Sequence, residues 1–470
     1  MSARREGRYD ITIIGSGPGG YVAAVRAAQL GMRTAVVEKD AAPGGTCLHL
    51  GCIPAKALLR TAEVLDTARR ADSFGVKIGK AELDVSAMHA YRKKTIDANV
   101  RGVEYLFKKN SVTLLRGVGS LAGQGRVRVS PPQDSPYEIE SGHVVLATGS
   151  VIRELPGTEF DGKRVINSDD ALALERIPKS MIVLGAGAVG VELASAYRSF
   201  GSEVTIVEML PRLVPLEDEE LGKELERAFR KRKIASHTST RVTAVETDPQ
   251  GVKLVAEADG KRLELDAEVL LVAIGRRPRT EGLGLDGTPI QLDARGFIEV
   301  DEMMRTAMAG VYAIGDLLAT QALAHVASHE GIVAVEHAAG ADPRPIDYDR
   351  IPSCTYCHPE VASVGLSERQ AVERGINVGV GKFPFTAIGK AKILGDTTGF
   401  VKIVTDKDYD EVVGVHIIGP HATELIAEAT TAVSLEATAE SLFHAVHAHP
   451  TLSEAMGEAA LAVHDRAIHL

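Results

Sequence analysis

A chain of 470 residues is too long to be organised around one hydrophobic core, so about two to four domains are expected. Apolar residues make up 45% and charged residues 25%, with no low-complexity tract, which excludes an intrinsically disordered chain. The formal net charge of −10 argues against a nucleic-acid partner and for small-molecule ones, and four cysteines do not make a secreted disulfide framework.

In chain order, the basic opening MSARREGRYD is followed by no apolar stretch of signal-peptide length. The longest apolar run, about 181–191, is too short and glycine-rich to span a bilayer, so no membrane partner and a cytoplasmic location are expected. A buried strand from Ile11 leads into a glycine turn, an alanine-rich helix and a second apolar strand that closes on Glu38. The same pattern returns at a constant offset: Gly15, Gly17, Gly20 and Glu38 align with Gly185, Gly187, Gly190 and Glu208. Each copy reads as a βαβ unit for dinucleotide binding. The first glycine permits the tight turn, the second lets backbone approach a pyrophosphate, and the third lets helix pack on strand. The phosphate then meets a helix N-terminus, where free N–H groups favour negative charge. Glu38 and Glu208 are placed to accept ribose hydroxyls; a carboxylate at 208 would repel a 2′-phosphate and favours NAD over NADP, with Arg212 the only counter-signal nearby.

Just after the first copy, GGTCLHLGC at residues 44–52 holds Cys47 and Cys52. A metal pair, a structural disulfide and a redox-active pair are the three readings. No second ligand pair lies close by, and the position next to the first dinucleotide site favours redox chemistry. In an ideal helix an i to i+5 spacing puts the Cα atoms about 8.6 Å apart, beyond disulfide reach, so bridging needs a distorted helix, which Gly51 eases and Pro54 helps fix.

Helices are expected over Ser86–Lys109 and Glu217–Lys231. HVVLATGS from His143, VLLVAIGRRP from Val269 and GVYAIGD ending at Asp316 read as closing strands of nucleotide-binding domains, with Asp316 placed to receive a ligand hydroxyl. After about Pro345 the pattern changes to short alternating strands and two helices. The expected fold class is α/β: two Rossmann-like dinucleotide-binding domains, 1–150 (completed by about 276–345) and 151–275, plus an α+β C-terminal dimerisation domain, 346–470.

In that last segment CTYCHPE has C-x-x-C spacing without a second pair to complete a zinc set, so Cys354 and Cys357 read as buried or half-buried thiols on a strand. HAHPTLSE brings His447, His449 and Glu454 close in sequence, which suits a base oriented by an acid, a metal site, or surface histidines.

GGTCLHLGCIPAKALL resembles the active-site signature of the flavin-dependent disulfide reductases, and the similarity runs through GAGAVGVE, YAIGD, LAHVASHEG, PEVASVG, KFPFTA and HAHPTLSEA. It is closest to the dihydrolipoyl-oxidising members of that family. The resemblance implies FAD at the first fingerprint, NAD at the second, and a homodimer that oxidises the lipoyl domains of 2-oxo acid dehydrogenase complexes. By position, Cys52 would be the flavin-side thiolate and Cys47 the interchange thiol. Lys56, paired with Glu192, would sit at the reactive flavin edge; His449 would be the base and Glu454 its orienting acid, reaching across the dimer. FAD would also meet Gly119, Asp316, Ala322, Leu323, Ala324 and His325. Gly275 would join the NAD site, with Ala188 leaving room for nicotinamide. The sequence departs from the usual family wording at His49, Leu50 and Ala55; His49 reads as a solvated side chain, the alternative being that it lies near Cys47, where its charge at mildly acidic pH would lower the thiol pKa. The rival readings are glutathione-type or mercuric reductase, a transhydrogenase, and a nucleotide-binding subunit without turnover.

Overall fold

The computed structural model describes residues 8–470; the opening basic stretch, through residue 7, lies outside them. The chain divides into two compact units. One gathers the residues up to Ala57, His89–Arg153 and Arg276–Tyr348; the other gathers Leu58–Met88, Glu154–Gly275 and Asp349–Leu470. Residues 58–88 thus group with the second unit although they fall within the expected 1–150 segment, and the 154–275 and 349–470 segments share one unit.

In the first unit, strand β1 (Arg8–Ile14), helix α1 (Pro18–Gln29) and strand β2 (Thr34–Glu38) form the first βαβ unit. β2 is buried along its whole length, as a strand covered on both faces must be, and its run of Ala and Val residues supplies the apolar surface. The parallel part of the sheet runs Thr113–Arg116, β2, β1, Tyr137–Leu146 and Val311–Ala313. Tyr137–Leu146 is 10 residues long, enough to pair antiparallel with Arg126–Ser130 at its start and parallel with β1 and Val311–Ala313 further on. Ile11, Ile13, Val36, Val145 and Ala313 form the fully buried centre, each large side chain contributing roughly 1.5–3 kcal/mol. The GVYAIGD strand therefore closes the first sheet.

In the second unit, five parallel strands follow the order Ile234–His237, Glu203–Val207, Ser180–Leu184, Val269–Val272, Val165–Ile166. The helix Ala188–Phe200 connects two of them and completes the second βαβ unit. The C-terminal segment is a five-stranded antiparallel sheet, Ser353–Thr355, Glu360–Gly365, Glu411–Gly419, Phe400–Asp406, Val378–Pro384. Five α-helices occur there among the described residues where two were expected. Three of them span only six residues, too few for a hydrophobic period to show; Glu368–Glu373 is set instead by a capping box between Ser367 and Gln370. Lys402, buried on a central strand, is held by Asp218 at 3.1 Å and Glu368 at 2.7 Å, which offsets the cost of burying its charge and ties the 154–275 segment to the C-terminal sheet. The two expected long helices span Val85–Lys109 and Glu219–Lys231; the second starts late because Asp218 caps it, accepting from the Glu220 N–H at 3.0 Å. Among the described residues no helix is long and apolar enough to cross a membrane.

Candidate active site

The two glycine turns are the same object built twice. A Cβ on Gly20 would stand 2.1 Å from the Gly15 carbonyl oxygen, and one on Gly190 would stand 2.0 Å from that of Gly185. Gly15 and Gly185 themselves approach the carbonyls of Ala147 and Ala273, each at 2.4 Å for an added Cβ. At Gly17 and Gly187, the N-cap positions of the following helices, an added Cβ would meet nothing within 4 Å, and no side chain caps either helix. Both turns therefore present uncapped N–H groups beneath space that a pyrophosphate fits. The acids brace the turns. Glu38 accepts from Ser16 N at 2.9 Å and Asp40 N at 2.8 Å; Glu208 accepts from Ala186 N at 2.6 Å and Leu210 N at 2.7 Å. The Arg212 guanidinium is engaged with Glu219 and the Pro215 carbonyl, both at 3.2 Å.

The cysteine segment is seated on the first turn. Gly44 and Gly45 take φ of 123° and 60°, a pair of conformations that only glycine adopts freely. Gly44 N donates to the Ser16 carbonyl at 3.0 Å, and a Cβ on Gly45 would stand 2.7 Å from Gly17 Cα. Helix α2 (Gly45–His49) carries Cys47, stops at Leu50, and gives way to α3 (Cys52–Arg69), which opens with Cys52. The break supplies the departure from an ideal helix that the spacing demanded. A Cβ on Gly51 would lie 3.0 Å from the Thr46 carbonyl oxygen and 3.3 Å from Cys47 Cα, so glycine lets the two cysteines approach. They are in hydrogen-bond contact and not joined as a disulfide here. That hydrogen bond, then burial, pushes the Cys47 thiol far above its ordinary range, while the Lys56 charge pulls it back.

His49 is turned to the backbone of its own segment. Its Nε2 is bonded to the Pro43 carbonyl at 3.0 Å, and the cation bearing on Cys47 is Lys56. Tyr21 on α1, which sequence reasoning missed, lies close enough for the Cys47 charge to add to burial in raising its pKa.

Elsewhere in the first unit, Asp316 follows the Val311–Ala313 strand and accepts from Ser150 Oγ at 2.5 Å, which in turn accepts from Arg276 Nε at 2.7 Å. Ala322 and Leu323 lead into the helix Ala324–Ala338, whose first residues include His325 and whose N-cap, Leu323, offers no side-chain bond. Gly119 packs close beneath Ile14 and Val37, where an added Cβ would approach to 2.8 and 3.0 Å. In the second unit, Gly275 takes φ of 106° just past the Val269–Val272 strand, and Ala188 opens its helix beside an exposed Val189. Glu192 is buried and accepts from Tyr356 N at 2.9 Å.

The three C-terminal residues separate into two pairs. His447 Nε2 meets Glu428 at 2.7 Å, while His449 Nδ1 meets Glu454 Oε1 at 2.8 Å. Burial would raise the Glu454 pKa, but His449 and the Thr451 N–H at 2.8 Å outweigh it and bring the group below the usual range. With Nδ1 held, His449 Nε2 is the nitrogen left to move a proton. Cys354 lies on the Ser353–Thr355 strand, whereas Cys357 falls beyond its end and is fully buried, its thiol raised by burial and then by Glu192.

Residues 9–331 match the family model described as pyridine nucleotide-disulphide oxidoreductase, and residues 351–460 match the dimerisation domain of that family. The chain belongs to this family. It is an oxidoreductase of α/β fold with two Rossmann-like dinucleotide-binding sheets and an α+β C-terminal domain. The dihydrolipoyl dehydrogenase of Bacillus subtilis (strain 168) is 47% identical to it over 98% of this chain and 99% of that one. The mitochondrial dihydrolipoyl dehydrogenase of Pisum sativum is 43% identical over 98% and 92%. Among solved structures, LpdA from Mycobacterium tuberculosis has the same fold, with a TM-score of 0.89 at 29% identity over 96% of this chain and 98% of that one.

Proposed function

We propose that the chain is a dihydrolipoyl dehydrogenase, a homodimeric cytoplasmic enzyme that oxidises dihydrolipoyl groups on the lipoyl domains of 2-oxo acid dehydrogenase complexes and reduces NAD. The observation that carries this reading is the seating of the thiol pair: Gly45 lies against Gly17, so Cys47 and Cys52 stand in contact on the same turn that would receive the first dinucleotide. FAD would be held by Gly15, Gly17, Gly20, Glu38, Gly119, Asp316 and the 322–325 segment, and NAD by Gly185, Gly187, Gly190, Glu208 and Gly275. Bound FAD couples thiol chemistry to hydride chemistry by carrying electrons in pairs.

The residues of the chain divide the sulfur chemistry between them. In the oxidised enzyme Cys47 and Cys52 share a disulfide. A substrate thiolate attacks the Cys47 sulfur, the Cys47–Cys52 bond breaks, and Cys52 leaves as a thiolate. His449, from the other copy, takes the proton of the second substrate thiol. That sulfur then attacks the one bound to Cys47, closing the lipoyl ring, and Cys47 leaves and recovers the proton from His449. Glu454 holds His449 in one tautomer throughout. Lys56, with Glu192 as its proposed partner, places a cation where negative charge grows on reduction. The substrate has lost two electrons, which pass on to NAD with one proton.

Purified protein should oxidise free dihydrolipoamide with NAD, and anaerobic NADH should raise a long-wavelength visible band that Cys52→Ser abolishes. Flavin-loaded protein showing neither turnover nor band would overturn the assignment.

A further inference from the structure

We propose that Glu330 is a positioning residue of the flavin site, stapling the Gly315–Thr320 loop so that Asp316 and the Ala322–His325 segment stand at a fixed spacing. The inference rests on the reading that the first glycine turn takes FAD. Glu330 is 0% exposed on the helix Ala324–Ala338, whose first turn carries Ala324 and His325. One carboxylate oxygen accepts from Gly315 N at 2.6 Å, and the other accepts from Thr320 Oγ1 and Tyr348 Oη, both at 2.9 Å. All three donors are neutral, an expensive way to bury a carboxylate and one that structural stability alone does not favour.

The arrangement has a geometric consequence. Gly315, in the left-handed region at φ 68°, precedes Asp316 directly, while Thr320 lies two residues before Ala322. Both ends of the loop are therefore bonded to one side chain, and Tyr348 fixes that side chain from outside the loop. Asp316 is held a second time through its carboxylate, by Ser150 Oγ at 2.5 Å. The backbone grip through Glu330 and the side-chain grip through Ser150 together leave the acid little freedom, which is how a site avoids the entropy cost of ordering its contacts on binding.

The test follows flavin release from the holoenzyme. Flavin fluorescence is recorded in graded guanidinium beside far-UV circular dichroism for wild type, Glu330→Gln, Tyr348→Phe and Glu336→Gln. Glu336 lies on the same helix but pairs with Arg26 at 2.6 Å, so its variant is the control. Glu330→Gln puts an N–H where an acceptor was, and should release flavin about tenfold to a hundredfold faster while the dichroism is still native. Tyr348→Phe, which removes only the hydroxyl and its one bond, should release it severalfold faster and decides the matter if Glu330→Gln does not fold. The flavin absorption maximum of both should shift, and Glu336→Gln should match wild type. Release rates equal to wild type in both variants, or release that moves only in step with global unfolding, would overturn the positioning role alone. Wild-type protein that binds no FAD would overturn the FAD reading itself, and this inference with it.

Discussion

At Gly51 a single hydrogen separates the turns that carry the two sulfurs. Replacing it by a methyl puts a carbon 3.0 Å from the Thr46 carbonyl oxygen and 3.3 Å from Cys47 Cα, neither of which is the end of a flexible side chain. Gly51→Ala should therefore cost about 1–3 kcal/mol of stability and depress turnover more than FAD content; thermal unfolding and flavin stoichiometry on the same preparation check both halves. The charge around Cys47 makes a second prediction. A raised thiol pKa means that, in the reduced protein, the thiolate fraction at neutral pH is small and grows as pH rises. Lys56 lowers that pKa, so Lys56→Met should move the alkylation rate of Cys47 to higher pH. His49, bonded to Pro43, should leave the profile where it is on substitution by Asn. Stopped alkylation with peptide mapping separates Cys47 from Cys52, and a profile displaced by His49→Asn would contradict the assignment of Lys56 as the cation that matters.

Scaled up to elements, the two βαβ units share a device: the acid at the end of the second strand reaches back to its own glycine turn. In the second copy Glu208 satisfies the N–H groups of Ala186, which is buried, and Leu210, which is exposed, so Glu208→Ala strands one buried donor at about 1–3 kcal/mol. The expected outcome is a lowered melting temperature together with a raised KM for NAD. Activity with NADP should stay absent, because the Arg212 guanidinium is committed to Glu219 and Pro215. These turns were legible in the sequence because their chemistry is local: glycine at three fixed places and an acid at a fixed distance spell the geometry whatever surrounds them. Helix boundaries were nearly as plain over Val85–Lys109, where the hydrophobic period persists for many turns. What escaped depends on partners remote in sequence or on elements too short to have a period. Glu330 reads as one more helical glutamate until Gly315 and Tyr348 are brought to it, and Arg232 reads as a terminal helix charge until its guanidinium meets Ser195 Oγ and the His358 carbonyl, both at 2.7 Å. His447 and His449 look like a pair in HAH, yet alternate positions send them to different acids, Glu428 and Glu454.

For the whole molecule the decisive question is which copy of the chain supplies the base. His449 is 79% exposed on its side chain while Glu454, which orients it, is only 27% exposed, so the acid is anchored in its own chain and the imidazole is presented outward. A base with a fixed tautomer and an accessible Nε2 is suited to a sulfur on another subunit. Since the Glu454 carboxyl sits below its usual range, this orientation is complete above the ordinary carboxylate pKa and fails as pH falls through the lower folded value, well under the working range of a thiol enzyme. Subunit mixing tests the composite site directly. Cys47→Ser and His449→Gln homodimers should each be nearly inactive, because every site lacks one group. Co-expressed with separate affinity tags, half of the dimers carry one chain of each kind. If the base crosses the interface, one of the two sites in such a dimer pairs an intact Cys47 with an intact His449, and the mixture recovers about a quarter of wild-type activity. If cysteine and histidine act within one chain, every site in the mixed dimer still lacks a group and no activity returns. The doubly tagged fraction, isolated before assay, turns that difference into half of wild-type activity against none.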